Sequence, residues 1–315
     1  LDDAIRLDQA YISTIHGFGS RLLAEFAFEG GASPSPRLLN DDEQNVLVRQ
    51  AISQTDKVAA ITRDLARYGY TYEYASERRG EDVFRDEMLR LVGLLRAMGW
   101  DGPDPAYAAK AANWIRENYG MTGNATRMNM ALQAAVEALL GAFPDSLADM
   151  FPANKSATSE LRRDFRNLHD AKSADRLGED WKLWAELGEL RPSRRGTALP
   201  DGYDALAEAV RGAAAELPMH PGPLKSAEEQ VIALINAAQD VLVRYAASKR
   251  EAGLVDYTDM VALANELLAK RADVLESQLG RVDCLVVDEF QDTNPLQFAL
   301  VWHLKQAGVP TMVVG

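Results

Sequence analysis

Asp288, Glu289, Gln291 and Asp292 stand directly after the apolar run Val282-Asp283-Cys284-Leu285-Val286-Val287, and Thr293-Asn294-Pro295 completes the polar stretch. A short apolar run of this kind reads as a buried strand, which puts two carboxylates at its carboxyl end. In open α/β sheets ligands bind beyond the carboxyl ends of the strands. A carboxylate there can hold hydrated Mg²⁺ on the β- and γ-phosphates of a nucleotide while its neighbour orients the attacking water, the division of labour that phosphoryl transfer needs. The acidic pair taken alone also fits an ordinary polar turn that caps the next helix.

A second candidate group lies near the other end of the sequence. Tyr11-Ile12-Ser13-Thr14 is short, β-branched and aromatic, and runs into His16-Gly17 ahead of apolar residues at Phe18, Leu22, Leu23 and Phe26. That order predicts strand, turn and helix. At the carboxyl end of such a strand, Thr14 and His16 are placed to touch phosphate or sugar, contacts that fix register without reading sequence. A junction in which His16 only hydrogen-bonds backbone fits as well. The helix is expected to stop at Gly30-Gly31, and Ser33-Pro34-Ser35-Pro36 forms a stiff connector after it.

Between Asn40 and Gly253 the pattern is helical almost throughout. Asn40 with Glu43 resembles a capping box. Further helices are expected over Glu81–Met98, Ala106–Asn118, Ala125–Leu140 and Ser159–Leu168, punctuated by Gly, Pro or polar clusters. The longest runs from Ser226 to Arg250, with Ser226 and Glu229 as a capping box and Val231, Leu234, Ile235, Ala238, Val241, Leu242 and Tyr245 on one face. The tryptophans recur without pattern, which favours core packing for most of them. Pro192–Gly196 and Pro218–Pro223 read as exposed loops.

After Gly253 the texture changes. Asp256–Lys270 is an amphipathic helix, Val282–Val287 an apolar run, Pro295–Gln306 a helix with Asn294 as its cap and Gly308 as its stop, and Thr311–Val314 another apolar run. This is the β-α-β alternation of a parallel sheet. The simplest assembly is an α/β fold whose sheet is interrupted by a large all-α insertion, with divisions at 1–36, 37–253 and 254–315.

Composition sets the outer limits. The chain has 315 residues, 47% of them hydrophobic, as a globular protein requires. It carries one cysteine and four scattered histidines, so a disulfide framework is excluded and a structural zinc site is not expected. Cys284 reads as a buried, inert thiol. No stretch approaches the roughly 20 apolar residues that cross a bilayer, and the expectation is a cytoplasmic protein with no membrane partner. The formal charge of −13 counts against nucleic acid as a partner but does not decide it, because a narrow groove can differ in charge from the average.

Asp288-Glu289-Phe290-Gln291-Asp292-Thr293-Asn294-Pro295 resembles the Walker B segment of UvrD/Rep-type superfamily-one DNA helicases. Ile12-Ser13-Thr14-Ile15-His16-Gly17-Phe18 looks like that family's Thr-Phe/Ile-His-Ser/Gly motif. Gly253-Leu254-Val255-Asp256-Tyr257-Thr258-Asp259-Met260 resembles the Gly-x-x-Asp-Phe-x-Asp-Leu segment of its RecB and AddA branch, although helix capping by Asp256 explains it as well. Thr311–Gly315 looks like the start of motif III. The resemblance implies a partial RecA-like parallel sheet of the P-loop NTPase type. Residues 1–36 and 254–315 would belong to motor domain 1A, and 37–253 to the inserted helical domain 1B. It implies ATP and Mg²⁺ as cofactors, with Asp288 on the metal and Glu289 activating water. Gln291 and Asp292 would sit near the γ-phosphate and couple hydrolysis to movement, and Thr14 and His16 would touch single-stranded DNA. Expected partners are single- and double-stranded DNA and other subunits of a repair helicase-nuclease.

A Walker A loop, Gly-x-x-x-x-Gly-Lys-Ser/Thr, occurs nowhere in the sequence, and Pro223-Leu224-Lys225-Ser226 is only a superficial echo. In the family that loop lies upstream of Thr14, so the expectation is an internal fragment, inactive by itself, with an unpaired sheet edge that promotes self-association. Two other readings stay open: a P-loop-related NTPase that does not act on DNA, and a non-catalytic helical scaffold with an incidental Asp-Glu turn.

Overall fold

The computed structural model describes residues 12–28, 37–72, 77–100 and 102–315. In chain order the elements are α1 (Ile15–Glu25), β1 (Arg37–Leu38), α2 (Asp41–Ser53), α3 (Asp56–Thr62), α4 (Gly80–Ala97), α5 (Pro105–Tyr119), α6 (Ala125–Ala142), α7 (Lys155–Asp170), α8 (Ala174–Glu179), α9 (Trp181–Gly188), α10 (Tyr203–Ala214), α11 (Pro221–Ala252), β2 (Leu254–Val255), α12 (Tyr257–Lys270), α13 (Ala272–Leu279), β3 (Leu285–Val287), α14 (Pro295–Gln306) and β4 (Thr311–Val313). The fold is mostly helical. Among the described residues the strands form two separate parallel pairs, β1 with β2 and β3 with β4, rather than one sheet.

The chain divides into two compact units, one made of the described residues up to Ala108 together with Ala233–Gly315, the other of Ala109–Ile232. In the second, α6 buries Met128, Leu132, Val136 and Leu139, one face at helical spacing, among Leu161, Phe165 and Leu168 of α7, Trp184 of α9 and Tyr203, Ala207 and Val210 of α10. Each Leu-sized side chain buried this way contributes roughly 1.5–3 kcal/mol before entropy is counted. The first unit has two apolar clusters. One joins α2, α3 and α4 to the Leu234–Tyr245 stretch of α11. The other holds Leu22 and Leu23 of α1, Met260, Val261, Ala264, Leu267 and Leu268 of α12, Val274 of α13 and Leu300 and Leu304 of α14, with Leu285 of β3 packed against it.

Local signals explain most helix ends. Asn40 and Glu43 form the expected capping box, as do Asn294 and Gln297 ahead of Pro295 at the first helical position. Gly99, Gly253 and Gly308 take positive φ just beyond α4, α11 and α14, a conformation cheap only for glycine. Trp100, Trp181 and Trp184 pack into the cores, whereas Trp114 and Trp302 are exposed.

Several expectations are corrected. Ile12–Thr14 is not a strand, and Tyr11 lies outside the described residues; Thr14 accepts from Gly17 N as the N-cap of α1, so His16-Gly17 is the first helical turn instead of a preceding turn. The helix ends at Glu25, and both Gly30-Gly31 and the Ser33–Pro36 connector lie outside the described residues. Ser226 is no cap: α11 already begins at Pro221, and Ser226 Oγ accepts a 2.9 Å hydrogen bond from Trp181 Nε1. The 218–223 segment is not an exposed loop, since His220 is buried against Trp181 and Trp184. Cys284 is exposed. Strand pairing begins only at Leu285, and β3 alternates, with Val287 buried and Val286 exposed, so only one face of the apolar run meets the core.

Candidate functional site

β3 and β4 run parallel with Leu285, Val286 and Val287 opposite Thr311, Met312 and Val313. The ladder continues past the strand ends: Val314 N donates to Val287 O, and Phe290 N to Val314 O, each at 2.9 Å. These bonds clamp the chain on both sides of Asp288 and Glu289. Between them the backbone reverses, with Glu289 at φ 52 and ψ 41 in the left-handed region. A non-glycine residue there costs of order 1 kcal/mol and persists only when its surroundings over-determine it. A 3₁₀ turn at Phe290–Asp292 follows, and Asn294 starts α14.

The side chains of Asp288, Glu289, Gln291 and Asp292 are all exposed together at this strand end. Asp288 Oδ1 accepts from Glu289 N at 3.0 Å. Gln291 Nε2 donates to Glu289 Oε2, and the Gln291 carbonyl lies so close to Gly315 that a Cβ there would collide with it. The amide of Gln291 therefore links the Glu289 carboxylate to the end of β4. Among the described residues no group of three or more His, Cys, Asp or Glu could cage a metal. The oxygen donors present suit Mg²⁺, which is held through one or two carboxylates plus substrate phosphates.

Thr14 and His16 form a separate group on α1. Thr14 is exposed, and its Oγ1 accepts from Gly17 N at 3.1 Å, which leaves its hydroxyl hydrogen able to donate outward. The His16 ring meets the Tyr257 ring edge-on at 5.8 Å. Gly19 lets α1 approach α12, since a Cβ there would lie 3.3 Å from Met260 O. The hydrogen bonds of each group stay local, and the two groups are joined through the core shared by α1, α12, α14 and β3.

Sequence reasoning offers helix capping as one of two readings of Asp256, and Asp256 is a cap, with Asp259 as capping-box partner. It missed what surrounds the cap. The fully buried Asp256 carboxylate receives Lys249 Nζ and Tyr245 Oη, each at 2.7 Å, and pairs with Arg96 of α4. Lys249 also pairs with Asp259 and lies over the Tyr245 ring at 4.4 Å. Burial pushes the Asp256 carboxyl up, but Arg96 and Lys249 outweigh it and hold it at about 2. A cleft of about 620 Å³ opens beside this cluster, lined by Arg96, Tyr245, Lys249 and Asp259 among others. The Arg96–Asp256 pair joins residues 160 positions apart, so no local pattern could have signalled it.

The model of the family described as UvrD/REP helicase N-terminal domain matches residues 3–315. An ATP-dependent helicase/nuclease subunit of Streptococcus equi subsp. zooepidemicus (strain H70) is 24% identical over 348 aligned residues, covering 96% of this chain and 26% of that protein. RecBCD enzyme subunit RecB of Escherichia coli (strain K12) is 23% identical over 314, covering 95% and 24%. DNA helicase II of Salmonella typhimurium (strain LT2) is 36% identical over 77, covering 24% and 11%. The chain spans about a quarter of the length of the first two relatives. Among the described residues no helix is long and apolar enough to cross a membrane.

Proposed function

The chain belongs to the UvrD/REP helicase N-terminal domain family, and from that premise we propose that it is part of an ATP-dependent DNA helicase acting in recombination and repair. The observation that carries the reading is the cluster of exposed carboxylates and Gln291 at the carboxyl end of β3, clamped by the β3–β4 ladder within a chain that the family matches from residue 3 to 315. Residues 1–36 and 254–315 are assigned to motor domain 1A and 37–253 to the inserted domain 1B. The parallel pairing of Arg37 with Leu254, which closes the ends of that insertion on one another, supports the assignment.

Asp288 would hold Mg²⁺ with its carboxylate. Glu289 accepts a proton from the attacking water, and its left-handed backbone, fixed by the bonds from Phe290 and Val314, keeps the carboxylate aimed away from the core. Gln291 orients that carboxylate, and Asp292, in the next turn, would lie near the γ-phosphate of bound ATP. Bound Mg²⁺ supplies charge neutralisation on the ATP phosphates. Thr14 and His16 meet the backbone of single-stranded DNA, with the N–H groups of the first turn of α1 favouring phosphate. The sequence contains no Walker A loop, so hydrolysis is a property of the complete protein and this chain alone is inactive. The names of the relatives support a nuclease or further subunits as partners.

The test is ATP hydrolysis by the complete protein with and without single-stranded DNA, beside its Glu289→Gln variant. DNA-stimulated hydrolysis that falls by about 10²–10⁴ in the variant is expected. The formal charge of −13 favours a second reading, a P-loop-related NTPase that moves something other than DNA. Hydrolysis indifferent to DNA is its signature and overturns the first.

A further inference from the structure

α14 packs Leu300, Val301 and Leu304 inward, yet it also carries Phe298 and Trp302, each 39% exposed, on its outer face. Phe298, Trp302 and Lys305 follow one another at intervals of four and three residues, which sets them in one row along the helix. Phe298 stacks on Trp302 with ring centres 5.4 Å apart, Phe290 meets Phe298 edge-on at 6.1 Å, and Lys305 Nζ lies over the Trp302 ring at 4.4 Å. The row begins beside the polar turn, since Phe290 stands between Glu289 and Gln291. A single exposed apolar side chain needs no explanation, but aromatic rings gathered with a cation and left uncovered mark an interaction surface.

Two features fix what the row can take. The segment is free of carboxylates: no Asp or Glu occurs from Thr293 to Gly315, in a chain of formal charge −13. Among the described residues Lys305 is engaged by the indole and by no carboxylate, so an acidic ligand is complementary. The second feature is that both faces of the Trp302 ring are taken. Phe298 lies one turn before it and Lys305 one turn after, and they flank the ring from opposite sides. Stacking of a nucleic-acid base needs a bare ring face. Here the indole offers its edge and an N–H donor, which suits an apolar side chain beside a carboxylate. We propose that the Phe298–Trp302–Lys305 row of α14 docks an acidic segment of a partner protein, with an apolar side chain against the ring edges and a carboxylate on Lys305 and Trp302 Nε1. The surface is distinct from Thr14 and His16, and its role does not depend on ATP hydrolysis.

The full chain is titrated with a dye-labelled peptide, Glu-Leu-Asp-Phe-Glu-Leu-Asp-Phe, and with a counterpart bearing Lys in place of each Glu and Asp, and binding is read by fluorescence anisotropy. Circular dichroism checks that each variant folds. The acidic peptide is expected to bind and the basic one not to. Trp302→Ala and Lys305→Glu should each weaken the acidic peptide roughly tenfold, as loss of an aromatic anchor or of a charge pair does, and Lys305→Glu should gain the basic peptide. Trp114→Ala, which removes an exposed tryptophan of α5, should change neither. Equal binding of the two peptides, no binding, or the same loss in Trp114→Ala overturns the proposal. So does displacement of the peptide by oligothymidylate, which would make the row a nucleic-acid surface, or a Trp302-dependent dimer in sedimentation, which would make it a contact between copies. Binding by this chain that disappears in the complete protein overturns it as well, because the protein's own remaining residues then cover the row.

Discussion

The side-chain amide of Gln291 donates to the carboxylate of Glu289, and its carbonyl rests against Gly315 at the end of β4. Gln291 thus positions the proposed water-activating group from the neighbouring strand. Gln291→Ala is expected to lower kcat of the complete protein by roughly tenfold, the value of one orienting hydrogen bond, with little effect on stability. Gly315→Ala should do the same, because its Cβ displaces the Gln291 side chain. In steady-state kinetics the double variant should be no worse than either single; additive losses would show that the two residues act separately.

Glu289 occupies the left-handed region at φ 52, where glycine is at ease. Glu289→Gly is expected to leave the unfolding free energy unchanged or raise it by up to about 1 kcal/mol, while hydrolysis falls as far as in Glu289→Gln. Urea denaturation beside an ATPase assay reads both, and a clear loss of stability would mean that the turn is not strained.

Asp256 is held at about 2 by Arg96 and Lys249 despite its burial. A carboxylate depressed on folding contributes stability that is complete above its unfolded value near 3.8 and is lost as pH falls towards 2, here about 2 kcal/mol. Asp256→Ala, which strands the buried Arg96 guanidinium and leaves Lys249 with Asp259 alone, should cost roughly 3–5 kcal/mol. Denaturation midpoints between pH 5 and pH 2 should fall in the wild type and lose that component in Asp256→Asn.

His220 is buried, and its Nδ1 accepts from Gly222 N at 2.9 Å while Nε2 lies 3.0 Å from Asn129 Oδ1. Burial pushes its pKa down from 6.5, so the fold takes the neutral ring. The unfolded chain then binds the extra proton, and the unit Ala109–Ile232 should lose stability as pH falls below about 6.5. Trp181 and Trp184, with ring centres 5.0 and 5.1 Å from His220, report the transition by fluorescence. An unfolding curve indifferent to pH between 7 and 5 would contradict it.

Much of the fold was legible because helix ends are written within four residues. The Asn40 box, the Asn294-Pro295 start and the glycine stops at 99, 253 and 308 fall where expected, since capping bonds and left-handed glycines are local chemistry. The same locality made Ser226 misleading: Ser-x-x-Glu occurs inside a helix as readily as before one, and only the packing of Trp181 shows which. The acidic octapeptide after an apolar run was legible for the same reason, as a strand end carrying polar side chains.

Sequence alone determined the helix-rich texture, the acidic group at 288–292 and the resemblance that named a family. Tertiary structure alone decided that β1 pairs with β2 from opposite ends of the helical stretch, that Cys284 faces outward, and that Asp256 is a buried anion gripped from α4 and α11. Residue types record local propensity, but which face of a strand is covered, and which distant cation meets a carboxylate, is settled only when the helices pack.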